Sequence, residues 1–362
     1  MTCPRVLLVD TTQYSPSSPL FAEALHRAGD AGLADGAFID EALTFGRLAA
    51  SRIERIVRRF RPWPHRSVAD LHAAIEVQAR AFAPDVILIV KGAHLTARCL
   101  VALKATGAVL VNFATDDPFN PRTSPRSWLE TLPLYDVVCS PRRANIADLE
   151  SRGIARVHFV PFGYKPDVHF PEAPRDLVER ERFQSDVCFI GGADSDRLEY
   201  FEELIARLPN LRLALYGGYW NRSRRLARFW RGFAVGRDFR LAVGGAAVSV
   251  NLVRRANRDD HVMRTFEVPA CGGCLLTEAS PTHRQLFEEG KSAFFFDSPA
   301  SLASGVRSLL GRPRLRKETA SAGRRAITIE NANRYDDRLS TILRLAFPRE
   351  RGATRTLHAV SV

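Results

Sequence analysis

Between Asp259 and Thr277 the chain reads DDHVMRTFEVPACGGCLLT and gathers several groups that suit one kind of ligand. Arg264 and Glu267 stand three residues apart, so a helix places them on one face. Gly272-Gly273 fits the end of that helix, because glycine accepts the positive φ that a helix terminus often needs. Cys274–Thr277 then reads as a strand. Backbone N–H groups at a helix start near Met263, with an arginine beside them, suit a diphosphate. A carboxylate one turn later accepts hydrogen bonds from both hydroxyls of a ribose. The unit therefore reads as a nucleotide diphosphate-sugar site. The plainer reading of Arg264 and Glu267 is a surface ion pair.

Other candidates follow strand-like runs. Gly191-Gly192 directly follows the run Val187–Ile190, where glycine lets backbone approach a phosphate or sugar closely. Arg197, a few residues on, reads equally as a phosphate contact or an exposed helix arginine. Asp116-Asp117-Pro118 follows the strand Val109–Phe113, which puts both acids on the ligand side of a sheet. They read either as acceptor-side groups or as a turn and helix cap. His94, just past Val86–Val90, faces the same choice between acceptor contact and structural histidine.

The elements that must position these residues alternate along the chain. Strand-like runs at Val6–Val9, Val86–Val90, Val109–Phe113, Val137–Cys139 and Val157–Val160 are separated by helical patterns, including 41–60, 67–83 and 142–152. The pattern restarts with Val187–Ile190, then Leu211–Tyr216, Val248–Leu252, Cys274–Thr277 and Ala293–Phe296, with helical stretches at 195–208, 299–310 and 313–346. Such alternation gives parallel sheets covered by helices. The expected fold is α/β, with two Rossmann-like parallel-sheet domains facing a cleft. Residues 1–165 form the first domain, 166–186 a linker within the proline-rich stretch 161–186, and 187–347 the second. Residues 348–362, PRERGATRTLHAVSV, lack a core pattern and read as a disordered tail.

A chain of 362 residues with 46% hydrophobic and 25% charged residues has the composition of a globular protein of two domains. Its longest apolar runs are strand-sized, and MTCPRVLLVD lacks the features of a signal peptide. Six scattered cysteines, with no second pair to complete a zinc site around Cys271 and Cys274, point to packing thiols in a reducing cytoplasm. The net charge of +12 rests on 47 Arg against 5 Lys and favours anionic partners such as nucleotide sugars or anionic lipid headgroups. No aromatic–basic motif supports nucleic acid as a partner. Asn221–Phe233 reads as an amphipathic helix, either a core helix with a solvated arginine face or a peripheral contact for the inner, anionic face of a membrane.

The block HVMRTFEVPACGGCLLTEASPTHRQLFEEGKSAFFFDSPASLA resembles the C-terminal half of glycosyltransferases of the spore-maturation CgeB type. These are similar to the large retaining GT-B family with its Glu-x7-Glu signature. Upstream, VKG (90–92), DDPFN (116–120), YDVV (135–138) and VPFGY (160–164) carry a thinner likeness. The second acid of the signature falls on Glu267 and the first on Asp259, one methylene short. The resemblance implies that Arg264 and the helix start at Met263 stabilise the departing diphosphate. Glu267 would hold the ribose and Asp259 the donor-sugar hydroxyls, these two acids and Arg264 forming the catalytic set. Gly191, Gly192, Gly273 and Thr277 join the donor-binding set, and His94, Asp116 and Asp117 face the acceptor. It also implies transfer with retention. No metal or cofactor is expected, because the acid pairs Asp116-Asp117 and Asp259-Asp260 fit turns or helix starts and Arg264 already suits the diphosphate; the acceptor is left open among glycan, lipid-linked and protein. The alternative is a non-catalytic nucleotide- or glycan-binding assembly or coat factor of the same fold.

Overall fold

A computed structural model describes residues 3–10, 19–41 and 66–347. The expected helix at 41–60 and the tail at 348–362 lie outside the described residues, apart from Glu41. Six strands build the first sheet: β1 (Arg5–Asp10), β2 (Asp35–Asp40), β3 (Val86–Val90), β4 (Val109–Phe113), β5 (Val137–Ser140) and β6 (Val157–Phe159). Their order is β2-β1-β3-β4-β5-β6, and every neighbouring pair is parallel. Helices α1 (Ala22–Asp30), α2 (Arg66–Phe82), α3 (Ala97–Lys104), α4 (Arg126–Thr131) and α5 (Ala144–Glu150) connect them. Strand β3 is buried at every position, as a strand covered on both faces must be.

The second sheet holds β7 (Ser185–Ile190), β8 (Leu213–Tyr216), β9 (Ala246–Asn251), β10 (Leu275–Glu278) and β11 (Phe294–Phe296). It is parallel in the order β11-β10-β9-β7-β8. Its helices are α6 (Leu177–Phe183), α7 (Ser195–Arg207), α8 (Arg237–Gly245), α9 (Arg264–Ala270), α10 (Pro281–Leu286), α11 (Pro299–Leu310), α12 (Pro313–Thr328) and α13 (Tyr335–Ala346). Both sheets thus reverse direction beside their first strand, between β1 and β3 and between β7 and β9. In open α/β sheets, ligands bind outside the carboxyl ends of strands at such switch points.

Three features depart from the sequence reading. Strand β2 was not anticipated: DGAFID lies at a sheet edge, largely exposed, and so lacks an apolar run. The stretch expected as a linker carries α6, capped by the Asp176 side chain. Helix α13 does not stay with the expected second domain at 187–347 but packs on α1, β4 and β5 of the first sheet. Its Tyr335, Leu339, Ile342 and Ala346 are buried there, and Asp336 makes a two-pronged ion pair with Arg27. Tyr335 also joins Phe113, Phe162 and Phe266 in one apolar cluster that continues from the first sheet into the second. The two halves are therefore bound across the cleft by core-like packing.

Candidate functional site

At the β7/β9 switch point, Gly191-Gly192 follows β7 and α9 begins at Arg264. The close approach of two loops fixes this corner. A Cβ at Gly217, where φ is 115°, would stand 2.4 Å from the Gly191 carbonyl oxygen. Trp220 donates its indole N–H to that same oxygen at 3.0 Å, and Arg197 donates to the Gly192 oxygen at 3.0 Å. Arg197 is thus a largely buried brace of the glycine loop.

Arg264 reaches back to the end of β7, its Nε donating to the Ile190 oxygen at 3.1 Å, while Nη1 bonds Glu267 and the guanidinium covers the Phe239 ring. Glu267 is fully shielded from water. On its other side lies His169 from the interdomain stretch, with Nε2 at 3.5 Å from Oε1. His169 Nδ1 accepts the backbone N–H of Lys165, so the ring proton sits on Nε2 and points toward Glu267. Burial pulls the His169 pKa down to about 4, which leaves a neutral donor beside the carboxylate. The Arg264–Glu267 pair is therefore a sheltered, oriented unit at a strand end, not a loose surface bridge.

The remaining acids read from the sequence serve a different task. Asp259 and Arg142, each 3% exposed, form an ion pair at 2.5 Å between the two domains. Burial pushes the Asp259 carboxyl up to about 6, although Arg142 pulls it down. Arg142 is held in turn by the carbonyl oxygens of Thr115 and Ala114. Asp117 receives both Nε and Nη2 of Arg258, at 2.6 and 3.0 Å, and Asp148 takes Nη1. Asn257 donates to Asp116 and accepts from Asn120. The segment 254–259 is thus a plug of the second domain seated in the first. Asp117 is a clamp residue, not an open acceptor-side group, and Asp259 is committed to Arg142 instead of facing an open sugar site.

The first sheet's switch point holds a pocket of about 590 Å³. Asp10 from the end of β1, Glu41 just after β2, Lys91 and His94 after β3, and Asp116 after β4 line it. Arg254 and Met263 close it from the second domain, so the pocket spans the two halves. Lys91 pairs with Asp116 at 2.6 Å; burial pushes the Asp116 carboxyl up, but that cation, with Arg142 and Asn257, outweighs it and holds the pKa below its ordinary value. His94 and Asp116 therefore line one pocket. Asp10, Glu41, Lys91 and Arg254 were not singled out as site residues. A readable signal existed for Asp10 and Lys91, since both terminate apolar strand runs; Glu41 follows the strand that the pattern hid.

Two residues expected at the donor lie in the packed interior. A Cβ at Gly273 would meet Val243 at 2.6 Å and Val268 at 2.9 Å, so this glycine serves packing. Thr277 is fully buried, accepting from Asn251 and facing His283. The expected helix at 221–233 is instead two 3₁₀ turns, Trp220–Arg222 and Ala227–Phe229. Trp230 ties the chain to the Gly217 carbonyl oxygen, and Gly232 takes a positive φ of 82°. Among the described residues, no group of three or more His, Cys, Asp or Glu is arranged to hold a metal, and no helix is long and apolar enough to cross a membrane. All six cysteines are free thiols.

Residues 197–344 match the sequence family described as glycosyl transferase-like, a stretch that includes Arg264 and Glu267. No curated protein matches the chain. Among solved structures, sucrose-phosphate synthase from Thermosynechococcus elongatus is 11% identical with a TM-score of 0.62, over 94% of this chain and 98% of that one. Anabaena HepE, solved with UDP and glucose, is 12% identical with a TM-score of 0.60, over 95% and 100%. A protein from Listeria monocytogenes, assigned as a candidate UDP-N-acetylglucosamine 2-epimerase, is 11% identical with a TM-score of 0.58, over 99% and 100%. Likeness at such identities is one of fold: two parallel-sheet α/β domains in the GT-B arrangement.

Proposed function

We propose that this chain moves a sugar from a nucleotide diphosphate-sugar to an acceptor held at the first domain. The observation that carries the reading is the Arg264–Glu267 pair at the β7/β9 switch point, within the stretch that matches a glycosyl transferase-like family. Arg264 would meet the negative charge that grows on the departing diphosphate. Glu267, oriented by His169, would accept the ribose hydroxyls once the nucleotide draws Arg264 toward its phosphates. Solved neighbours that carry UDP and glucose support a donor of this class. Asp259 is assigned to the interdomain ion pair.

Epimerisation of the donor is the rival reaction, since a candidate epimerase shares the fold. The pocket at the first sheet favours transfer, because it offers a second ligand a place across from the donor corner. Retention of configuration and membership of the CgeB type follow the sequence resemblance. Contact with a membrane loses its main support, since 221–233 does not form an amphipathic helix. Metal independence is supported by the pairing of the acids that the sequence singled out with cations: Asp116 with Lys91, Asp117 with Arg258 and Asp259 with Arg142.

Titration calorimetry with UDP, GDP, ADP and dTDP tests the donor class. One of the four is expected to bind with a Kd of about 1 to 100 μM, with the same affinity in excess EDTA. Absence of binding by all four would contradict the donor assignment, and binding that requires Mg²⁺ would contradict metal independence.

A further inference from the structure

The pocket at the β1/β3 switch point contains one group that neither domain packing nor the donor site uses. Glu41 is 4% exposed, lines the pocket, and its Oε1 is buried with no hydrogen-bond partner among the described residues. Leaving a buried acceptor unpaired is unfavourable, and native structures seldom tolerate it without a ligand or a special role. An apolar side chain in its place would suit folding better. A polar ligand atom in the pocket would supply the missing partner.

Surrounding charges indicate what kind of ligand that is. Asp10 and Asp40 lie close to Glu41 from β1 and β2, and Lys91 approaches from the end of β3. The Tyr135 hydroxyl lies within electrostatic reach of it, and His94, Asp116 and Arg254 are the other charged or titratable groups of the lining among the described residues. Burial first, then Asp10 and Asp40, pushes the Glu41 carboxyl up to about 8, so near neutral pH it is an uncharged acid with one O–H donor and one acceptor oxygen. Lys91 is already engaged by Asp116. Arg254 is likewise engaged by Asp194, so a phosphorylated ligand would meet Asp10 and Asp40 beside cations that are already paired, and a neutral polyol would find both donors and acceptors.

We propose that Glu41 is a specificity-determining residue that hydrogen-bonds a hydroxyl of an uncharged sugar in this pocket. The word acceptor for that sugar rests on the transfer reading; the binding site itself does not. The carboxylic acid both donates and accepts, which matches a sugar hydroxyl and selects against phosphorylated sugars.

Saturation-transfer NMR and calorimetry with the methyl glycosides of glucose, galactose, mannose and N-acetylglucosamine, against glucose 6-phosphate, test this on the full chain. At least one neutral glycoside is expected to bind, at least tenfold tighter than glucose 6-phosphate. Glu41→Gln keeps a donor and an acceptor without charge and is expected to stay within about threefold of the wild type. Glu41→Leu removes both and is expected to lose at least tenfold in affinity. Its melting temperature should match or exceed the wild-type value, because an unpaired buried carboxyl has been removed. Glycoside binding that survives Glu41→Leu, preference for the phosphorylated sugar, or no binding by any neutral glycoside would overturn the proposal. UDP, GDP, ADP and dTDP titrated in parallel separate the two ideas. Nucleotide binding without sugar binding refutes the Glu41 assignment alone. Sugar binding without nucleotide binding upholds it and refutes the transfer reading.

Discussion

Replacing Arg142 by alanine is expected to lower the free energy of unfolding by about 3 kcal/mol near neutral pH, the low end for breaking a buried ion pair. The removed guanidinium leaves Asp259 buried at the domain junction without its cation. The loss stays at that low end because the carboxyl can take up a proton instead of remaining an isolated buried charge. The sign of the pH dependence follows. Asp259 is already pushed up to about 6 in the folded chain, above the ordinary aspartate value, and losing Arg142 raises it further. The folded variant therefore holds a proton that the unfolded chain releases, and its stability rises as pH falls toward the unfolded value. Urea unfolding at about pH 7.5 and about pH 5 should show the variant's deficit shrinking at the lower pH. Adding Asp259→Asn should recover part of the deficit at the higher pH. Equal stability of wild type and Arg142→Ala would show that the junction does not depend on this pair.

The second large effect is on nucleotide affinity. Arg264→Ala is expected to weaken binding of the preferred nucleoside diphosphate by about 1.5–3 kcal/mol, the worth of hydrogen bonds to a charged group, or roughly 10- to 150-fold. Arg264→Lys should recover only part of this, since an ammonium keeps the charge but not the fork that also reaches Ile190 and Glu267. Glu267→Gln should weaken the nucleotide as well, through the ribose. Asp259→Asn should leave nucleotide affinity unchanged, because Asp259 faces Arg142. Calorimetry on folded variants reads all four. Equal weakening by Asp259→Asn and Glu267→Gln would return Asp259 to the donor site.

Legibility in the sequence followed burial and chain distance. Strands β3 and β4 match their expected bounds residue for residue, because strands covered on both faces are written as mainly apolar runs, interrupted in β4 only by the buried Asn112. Strand β2 escaped notice because an exposed edge needs few apolar residues, and Glu41 escaped with it. The 221–233 segment has helical periodicity, yet indole N–H bonds to the Gly191 and Gly217 carbonyls and a left-handed Gly232 hold it in turns. Tertiary partners overrode local pattern there. Arg264 and Glu267 were legible because their spacing is local. The partners of Asp117 and Asp259 are not local: Arg258 and Arg142 come from the opposite domain, and no spacing rule connects them. The same is true of His169, which reaches Glu267 from a stretch that read only as a linker.

The central claim is that sugar leaves a nucleotide and arrives on an acceptor. Its most direct measurement is mass spectrometry of reactions containing the full chain, UDP-, GDP-, ADP- or dTDP-sugars, and the neutral methyl glycosides that bind the first-domain pocket. The account predicts a new glycoside heavier by one sugar residue, with stoichiometric release of nucleoside diphosphate, in excess EDTA as well as in Mg²⁺. Formation should fall at least tenfold in Arg264→Ala, the effect set by a lost charged hydrogen bond. Donor converted to its epimer with no glycoside formed, or donors recovered intact beside a chain that binds them, would contradict it.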